Sequence, residues 1–175
     1  ADYEAVRKLL AIPQWNLLGV SYGTRVAQHY MRQYPESIRS VVLDSVVAAD
    51  HILGPEIAWQ SQRALDALVE RCGKDIACNQ AFPNLKEASS GLVNRLTEKP
   101  VSVSYEDIRT GGSKTLLVGR DQLAVVIRMA LYQDEMAALL PLLMTQAYTH
   151  ENYVPLARSA ANTMAQLNGM MAIGM

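Results

Sequence analysis

The residues whose types and spacing could do chemistry lie at Gly19-Val20-Ser21-Tyr22-Gly23, a match to the pattern G-x-S-x-G. At average Gly and Ser usage such a match arises by chance in about one chain in twenty of this length, so the flanking residues must decide. Before it, Trp15 to Val20 is a short apolar run following Pro13, the pattern of a buried strand. After it, Val26, Ala27, Tyr30, Met31 and Tyr34 recur at helical spacing until Pro35. Ile38 to Leu43 then form a second apolar run. Strand, sharp turn, helix and strand predict one βαβ unit with Ser21 on the turn. In that setting Gly19 and Gly23 leave room where a Cβ would collide with neighbouring backbone, and Ser21 is held so that its hydroxyl is presented. The Tyr22 backbone N–H, at the positive end of the helix, points where an oxyanion would form. The competing role for Ser21 is a helix N-cap. Two glycines in a βαβ frame favour the nucleophile.

A serine nucleophile needs a general base and a group to orient that base. The chain has three histidines, His29, His51 and His150. His29 falls about two turns into the helix after Ser21 and is expected to point away from the turn. His51 follows Asp50 in the loop after the second strand, and His150 lies in the polar connection "YTHENY". The order in such a fold is Ser, then Asp or Glu, then His, each on a loop after a later strand, and His150 has no strand before it in the expected place. Asp44, ending the second strand, is a formal candidate for the acid, but "LDSVV" reads as a turn whose own groups satisfy the carboxylate. The base and acid are not evident in this chain.

The elements that must position Ser21 belong to a chain of 175 residues, half of them hydrophobic and 19% charged, which is a globular composition. A net charge of −1, with no basic run, argues against nucleic acid or an anionic membrane surface as partner. The apolar run Met136 to Met144 is too short to span a bilayer and contains Pro141. The opening "ADYEAVRKLLAI" patterns as an amphipathic helix rather than a charged stretch before an apolar block. Cys72 and Cys78 have five intervening residues, which excludes the C-x-x-C redox pattern, and no nearby His or third Cys completes a metal site. They are either a disulfide closing a short loop between two helices, in an oxidising compartment, or two half-buried thiols.

The α/β pattern stops near residue 50, and the rest reads as mainly helical. Ala64, Leu65, Leu68, Val69 and Cys72 mark one helix face with Gly73 at its end; Leu85, Ala88, Leu92 and Leu96 mark another. Residues 101 to 118 alternate as a hairpin around "RTGGSK". Asp121 is placed to cap a helix carrying Leu123, Val126, Ile127, Ala130 and Leu131. Asp134 opens a further helical stretch, interrupted by Pro141, and a last helix starts near Val154. Two parallel strands cannot bury both faces of a sheet without further elements. A mainly helical lobe after such a unit fits a lid over a site at the carboxyl edge of the strands.

"WNLLGVSYGTRVAQHYMRQYPESIRSVVLDSVV" resembles the nucleophile-elbow region of α/β-hydrolases in the proline iminopeptidase and tripeptidyl aminopeptidase group. "RCGKDIACNQAFPNL", "LVGRDQLAVVIRMALYQDEMAALLPLLM" and "YVPLARSAANTM" are similar to that group's cap. The resemblance implies an α/β fold: a partial α/β-hydrolase core over residues 1–50 and a mainly helical cap with a small hairpin over 51–175. It puts the nucleophile on Ser21, one oxyanion N–H on Tyr22, and a Cys72–Cys78 disulfide in a secreted or periplasmic enzyme with no cofactor and no metal. The expected partner is a peptide or small acyl substrate, and the expected reaction removes residues or short peptides from N-termini through an acyl-enzyme. An esterase on the same scaffold, or a non-catalytic binding module, is the alternative. Glu56, Glu70 and Glu135 are candidates to hold a substrate amine. An "HGGPG"-like loop and the strands carrying the group's acid and histidine have no match. The chain is therefore expected to be an internal piece, inactive alone and prone to self-association.

Overall fold

A computed structural model of the chain describes residues 2–52 and 54–173. The chain divides into two compact units, Ala1–Glu56 and Ile57–Met175.

The first unit opens with helix α1 (Asp2–Leu9), followed by strand β1 (Trp15–Val20), helix α2 (Tyr22–Gln33), a single 3-10 turn at Pro35–Ser37 and strand β2 (Ile38–Asp44). β1 and β2 pair in parallel, with Leu17 opposite Val41, Leu18 opposite Val42 and Val20 opposite Asp44. A parallel pair needs a crossover, and α2 supplies it, packing Ala27 and Tyr30 inward. Leu17, Val41 and Leu43 are half-buried and Gly19 is buried, whereas on the opposite face Leu18 is 72% and Val42 58% exposed. The strands carry apolar residues on both faces, and the first unit itself covers one of them.

α1 departs from the amphipathic expectation. Its apolar Tyr3, Val6 and Leu9 are exposed, and its buried residue is Glu4. Glu4 is held by Arg7, whose Nε and Nη2 donate to the carboxylate at 2.9 and 2.6 Å, and by the Tyr30 hydroxyl at 2.6 Å. A polar clasp, rather than an apolar face, anchors α1.

The second unit holds α3 (Pro55–Lys74, beginning at the boundary), α4 (Ile76–Ala81), α5 (Leu85–Glu98), the hairpin β3 (Val101–Glu106) and β4 (Ser113–Val118), α6 (Arg120–Ala130), α7 (Asp134–Thr149) and α8 (Val154–Ile173). The hairpin is antiparallel, with Val101 opposite Val118 and Glu106 opposite Ser113. Its core gathers Leu65, Leu68, Leu92, Leu96, Val126, Leu140, Met144 and Leu156. Cys72 and Cys78 are disulfide-bonded, joining the end of α3 to α4 with a sequence separation of 6.

Three local expectations need correction. α3 runs one residue beyond Gly73 to Lys74, so this glycine lies inside the helix. Gly119, not Asp121, is the N-cap of α6; the Gln122 side chain accepts from the Gly119 N–H at 3.0 Å, and Asp121 sits in the first turn, where its charge complements the dipole. α7 continues through Pro141, which is buried within it. A proline there forfeits one helical hydrogen bond and strains one turn, and packing in the core outweighs that loss.

Candidate active site

Ser21 stands between the last residue of β1 and the first of α2, at φ 52° and ψ −120°. A positive φ is rare for a residue with a side chain and costs of order 1–3 kcal/mol, so the surroundings must enforce it. They do so from both sides. The Ser21 N–H donates to the Asp44 carbonyl at 3.0 Å, continuing the sheet ladder one step past β1. The Ser21 carbonyl accepts from the Thr24 N–H at 3.0 Å and from Thr24 Oγ1 at 2.6 Å.

The turn is possible because of Gly19. A Cβ there would lie 2.7 Å from the Gly23 carbonyl oxygen, 2.9 Å from the Gly23 carbonyl carbon and 3.0 Å from Thr24 Cα. These are backbone atoms of the first turn of α2, which cannot rotate aside. Gly23 differs from expectation: a Cβ on it would meet nothing within 4 Å among the described residues. Its backbone is the wall that excludes a side chain at Gly19, and the crowding is one-sided.

Ser21 is exposed and makes no side-chain capping bond with α2. The hydroxyl is thus not spent on the role that competes with chemistry. Tyr22 is the first residue of α2, so its N–H has no intrahelical acceptor. No acidic residue occupies the first turn of α2, which leaves the positive end of the dipole uncancelled beside Ser21 Oγ. The arrangement places an uncapped serine hydroxyl on the residue before a backbone N–H that has no intrahelical acceptor.

The other candidates lie apart from it. His29 is exposed on α2, with Nδ1 3.0 Å from an Arg32 guanidinium nitrogen. His51 Nε2 is 2.8 Å from Glu56 Oε2, which occupies both that imidazole and that carboxylate. His150 is exposed and terminates α7. Among the described residues none of the three hydrogen-bonds to Ser21. The Asp44 carboxylate accepts from the Ser45 hydroxyl at 3.0 Å, the local satisfaction its turn sequence suggests. Glu70 pairs with Lys74 at 2.6 Å, a solvent-exposed pair on α3. Glu135 is exposed in the first turn of α7. Among the described residues no group of three or more His, Cys, Asp or Glu could hold a metal, and no helix is long and apolar enough to cross a membrane.

The strongest electrostatic perturbation in this unit is structural. Bonds from Arg7 and then Tyr30 hold the Glu4 carboxyl at about 2, well below its ordinary value. Burial, then the bond to Glu4, pushes the Tyr30 phenol up.

Sequence reasoning missed Thr24, Arg25 and Gln28. All three reach from α2 to the segment leaving β2. Thr24 Oγ1 accepts from the Val47 N–H at 2.9 Å, and Gln28 bonds the Val47 carbonyl at 2.9 Å and the Ala49 N–H at 3.2 Å. Arg25 donates to the Ala49 carbonyl at 2.8 Å and the His51 carbonyl at 3.1 Å. For Thr24 the sequence did carry a signal: a hydroxyl three residues into a helix can reach back to the carbonyl at i−3.

A parallel β–α–β unit with an exposed, strained serine between strand and helix defines a class, that of α/β folds with a serine hydroxyl displayed at the carboxyl end of a strand. The family follows from comparison with known proteins. The family model described as alpha/beta hydrolase fold matches residues 1–122, well over half of the chain, and the chain belongs to that family. It is 37% identical over 128 residues to the serine protease Hip1 of Mycobacterium tuberculosis (strain ATCC 25618 / H37Rv), covering 63% of this chain and 25% of that protein. It is 30% identical over 130 residues to YuaR of Escherichia coli (strain K12), covering 66% and 26%. The tripeptidyl aminopeptidase of Streptomyces lividans is 29% identical over 140 residues, covering 76% and 24%. The chain spans about a quarter of the length of these relatives.

Proposed function

We propose that this chain carries the nucleophile elbow and the helical cap of a serine hydrolase whose whole protein releases residues or short peptides from peptide N-termini. The observation that carries the reading is Ser21: an exposed hydroxyl with no capping bond, on a residue at φ 52° between β1 and α2. Ser21 Oγ attacks the carbonyl carbon of the scissile bond while its proton passes to a general base. The Tyr22 N–H receives the developing oxyanion, the base passes the serine's proton to the amine nitrogen, and the C–N bond breaks to release the amine. Water then attacks the acyl-enzyme and gives a proton to the same base, which hands it to Ser21 Oγ as the ester bond breaks and the carboxylic acid product leaves. The base and the acid that orients it come from segments outside these 175 residues, in keeping with a match that covers about a quarter of each relative.

Peptide cleavage is favoured over ester cleavage by two of the relatives, a serine protease and a tripeptidyl aminopeptidase. The Cys72–Cys78 bond supports an oxidising compartment, hence a secreted or periplasmic protein. Without its base the isolated 175-residue chain is inactive. The test uses the full-length protein with a fluorophosphonate probe and adduct mapping. Labelling is expected at Ser21 and lost in Ser21→Ala; an adduct on another serine removes the reading. A panel of aminoacyl and tripeptidyl amides beside short-chain esters then decides the scissile bond, and turnover of esters alone makes the protein an esterase.

A further inference from the structure

The Thr24 side chain is fully buried, yet its hydroxyl makes two bonds of opposite sense. The Val47 N–H donates to Thr24 Oγ1 at 2.9 Å, so the hydroxyl is an acceptor there. Its single proton is then directed to the other partner, the Ser21 carbonyl at 2.6 Å, which also accepts the Thr24 N–H at 3.0 Å. That carbonyl belongs to the same peptide unit as the Tyr22 N–H. A trans peptide is planar, with C=O and N–H pointing in opposite directions. Whatever clamps the Ser21 carbonyl therefore fixes the direction of the Tyr22 N–H.

We infer that Thr24 is a positioning residue: its hydroxyl locks the Ser21–Tyr22 peptide plane and thereby aims the Tyr22 N–H at the oxyanion. This rests on the reading of Ser21 as the nucleophile. Two features make the clamp specific to a hydroxyl. The Thr24 N–H alone would leave the plane free to tilt, because a single bond fixes a point and not an orientation. Donation by Val47 also polarises the Thr24 hydroxyl, and a carbonyl that accepts strong bonds makes the N–H of its own peptide a better donor. The clamp ties the turn to the segment leaving β2, which Gln28 and Arg25 hold along α2.

The test is made on the full-length protein, with p-nitrophenyl acetate turnover as one readout and the rate of fluorophosphonate labelling as the other. Thr24→Val keeps the shape and removes both hydroxyl bonds; kcat and labelling rate are expected to fall about ten- to a hundredfold with KM within about twofold, less than for a donor removed outright. Thr24→Ser keeps the hydroxyl and is expected to stay within about threefold of the parent. A folded Thr24→Val with unchanged kcat, or a Thr24→Ser as slow as Thr24→Val, overturns the inference. If Thr24→Val does not fold, Thr24→Cys decides beside Thr24→Ser. A thiol is a weaker donor, so Cys is expected to be several-fold slower than Ser, and equal rates overturn the assignment. Ser21→Ala separates the two claims. Turnover surviving in Ser21→Ala removes the nucleophile itself, whereas a dead Ser21→Ala beside an unaffected Thr24→Val removes only the role of Thr24.

Discussion

Replacing Gly19 and Gly23 each by alanine gives the sharpest separation between what the turn needs and what it merely contains. Gly19→Ala places a Cβ at 2.7, 2.9 and 3.0 Å from three backbone atoms of Gly23 and Thr24. Carbon prefers neighbours about 3.5–4.0 Å away, so each contact is short by about half an ångström or more. Relief requires moving α2 away from β1 or breaking the ladder that runs through Ser21 N–H to Asp44, and either belongs at the top of the overpacking range, about 3 kcal/mol. Gly23→Ala meets no atom within 4 Å among the described residues and lies in the first turn of α2, where alanine reduces the freedom of the unfolded chain and is expected to gain about 0.4–1 kcal/mol. The two alanines should therefore differ by about 3–4 kcal/mol, more than a hundredfold in the folded-to-unfolded ratio. Urea unfolding of the two full-length variants, followed by tryptophan fluorescence, measures the difference directly. Equal destabilisation by both, or a Gly19→Ala within about 1 kcal/mol of the parent, would refute the one-sided account of the elbow.

Glu4 makes stability depend on acid. Its folded-state value of about 2 lies below the ordinary 4.5, so its contribution is complete above pH 4.5 and disappears as pH falls through about 2. Glu4→Gln is expected to lower the urea midpoint at pH 7 and to flatten its decline between those two values; an unchanged slope removes the clasp from the account. The Cys72–Cys78 bond closes a short loop, and its reduction is expected to cost about 2–3 kcal/mol. Cys72→Ala should cost more than Cys78→Ala because Cys72 is part of the buried core, and alkylation of both thiols in unreduced protein would deny the bond altogether. The isolated 175-residue chain, with Leu18, Val20 and Val42 exposed on the sheet face that the first unit does not itself cover, is expected to self-associate at micromolar concentration. Light scattering that finds a monomer would contradict this.

The β1–α2–β2 unit was legible because each piece reports its own period: apolar runs of six or seven residues for the strands, and Ala27 and Tyr30 at helical spacing between them. The same rule gave Leu85, Ala88, Leu92 and Leu96, all of which are buried. Periodicity failed where something other than apolar burial decides the face. In α1 the Arg7–Glu4–Tyr30 clasp turns the charged side inward, and no count of apolar residues records that pairing. In α7 the neighbours of Pro141 hold the helix together, information carried by distant core residues rather than by the proline. The segment from Val47 to His51 has no period at all. Its backbone is bonded by side chains on α2, and a loop so satisfied looks in sequence like any other.

Ser21 was readable for a further reason. Every clamp on its backbone comes from a short span: Asp44 from the neighbouring strand, Thr24 from the same turn, and Gly19 from the strand it ends. A conformation costing of order 1–3 kcal/mol persists only when such clamps over-determine it, so the strain and its supports must be encoded together. The proton acceptor obeys no such locality. A general base needs only to reach the hydroxyl in space, and it can arrive from any later strand of the sheet. His51 is occupied by Glu56, and His29 and His150 are exposed, none of which bears on how the turn itself is built. Geometry of the turn and chemistry of a triad are separable properties, and the local supports of the first carry no information about the second.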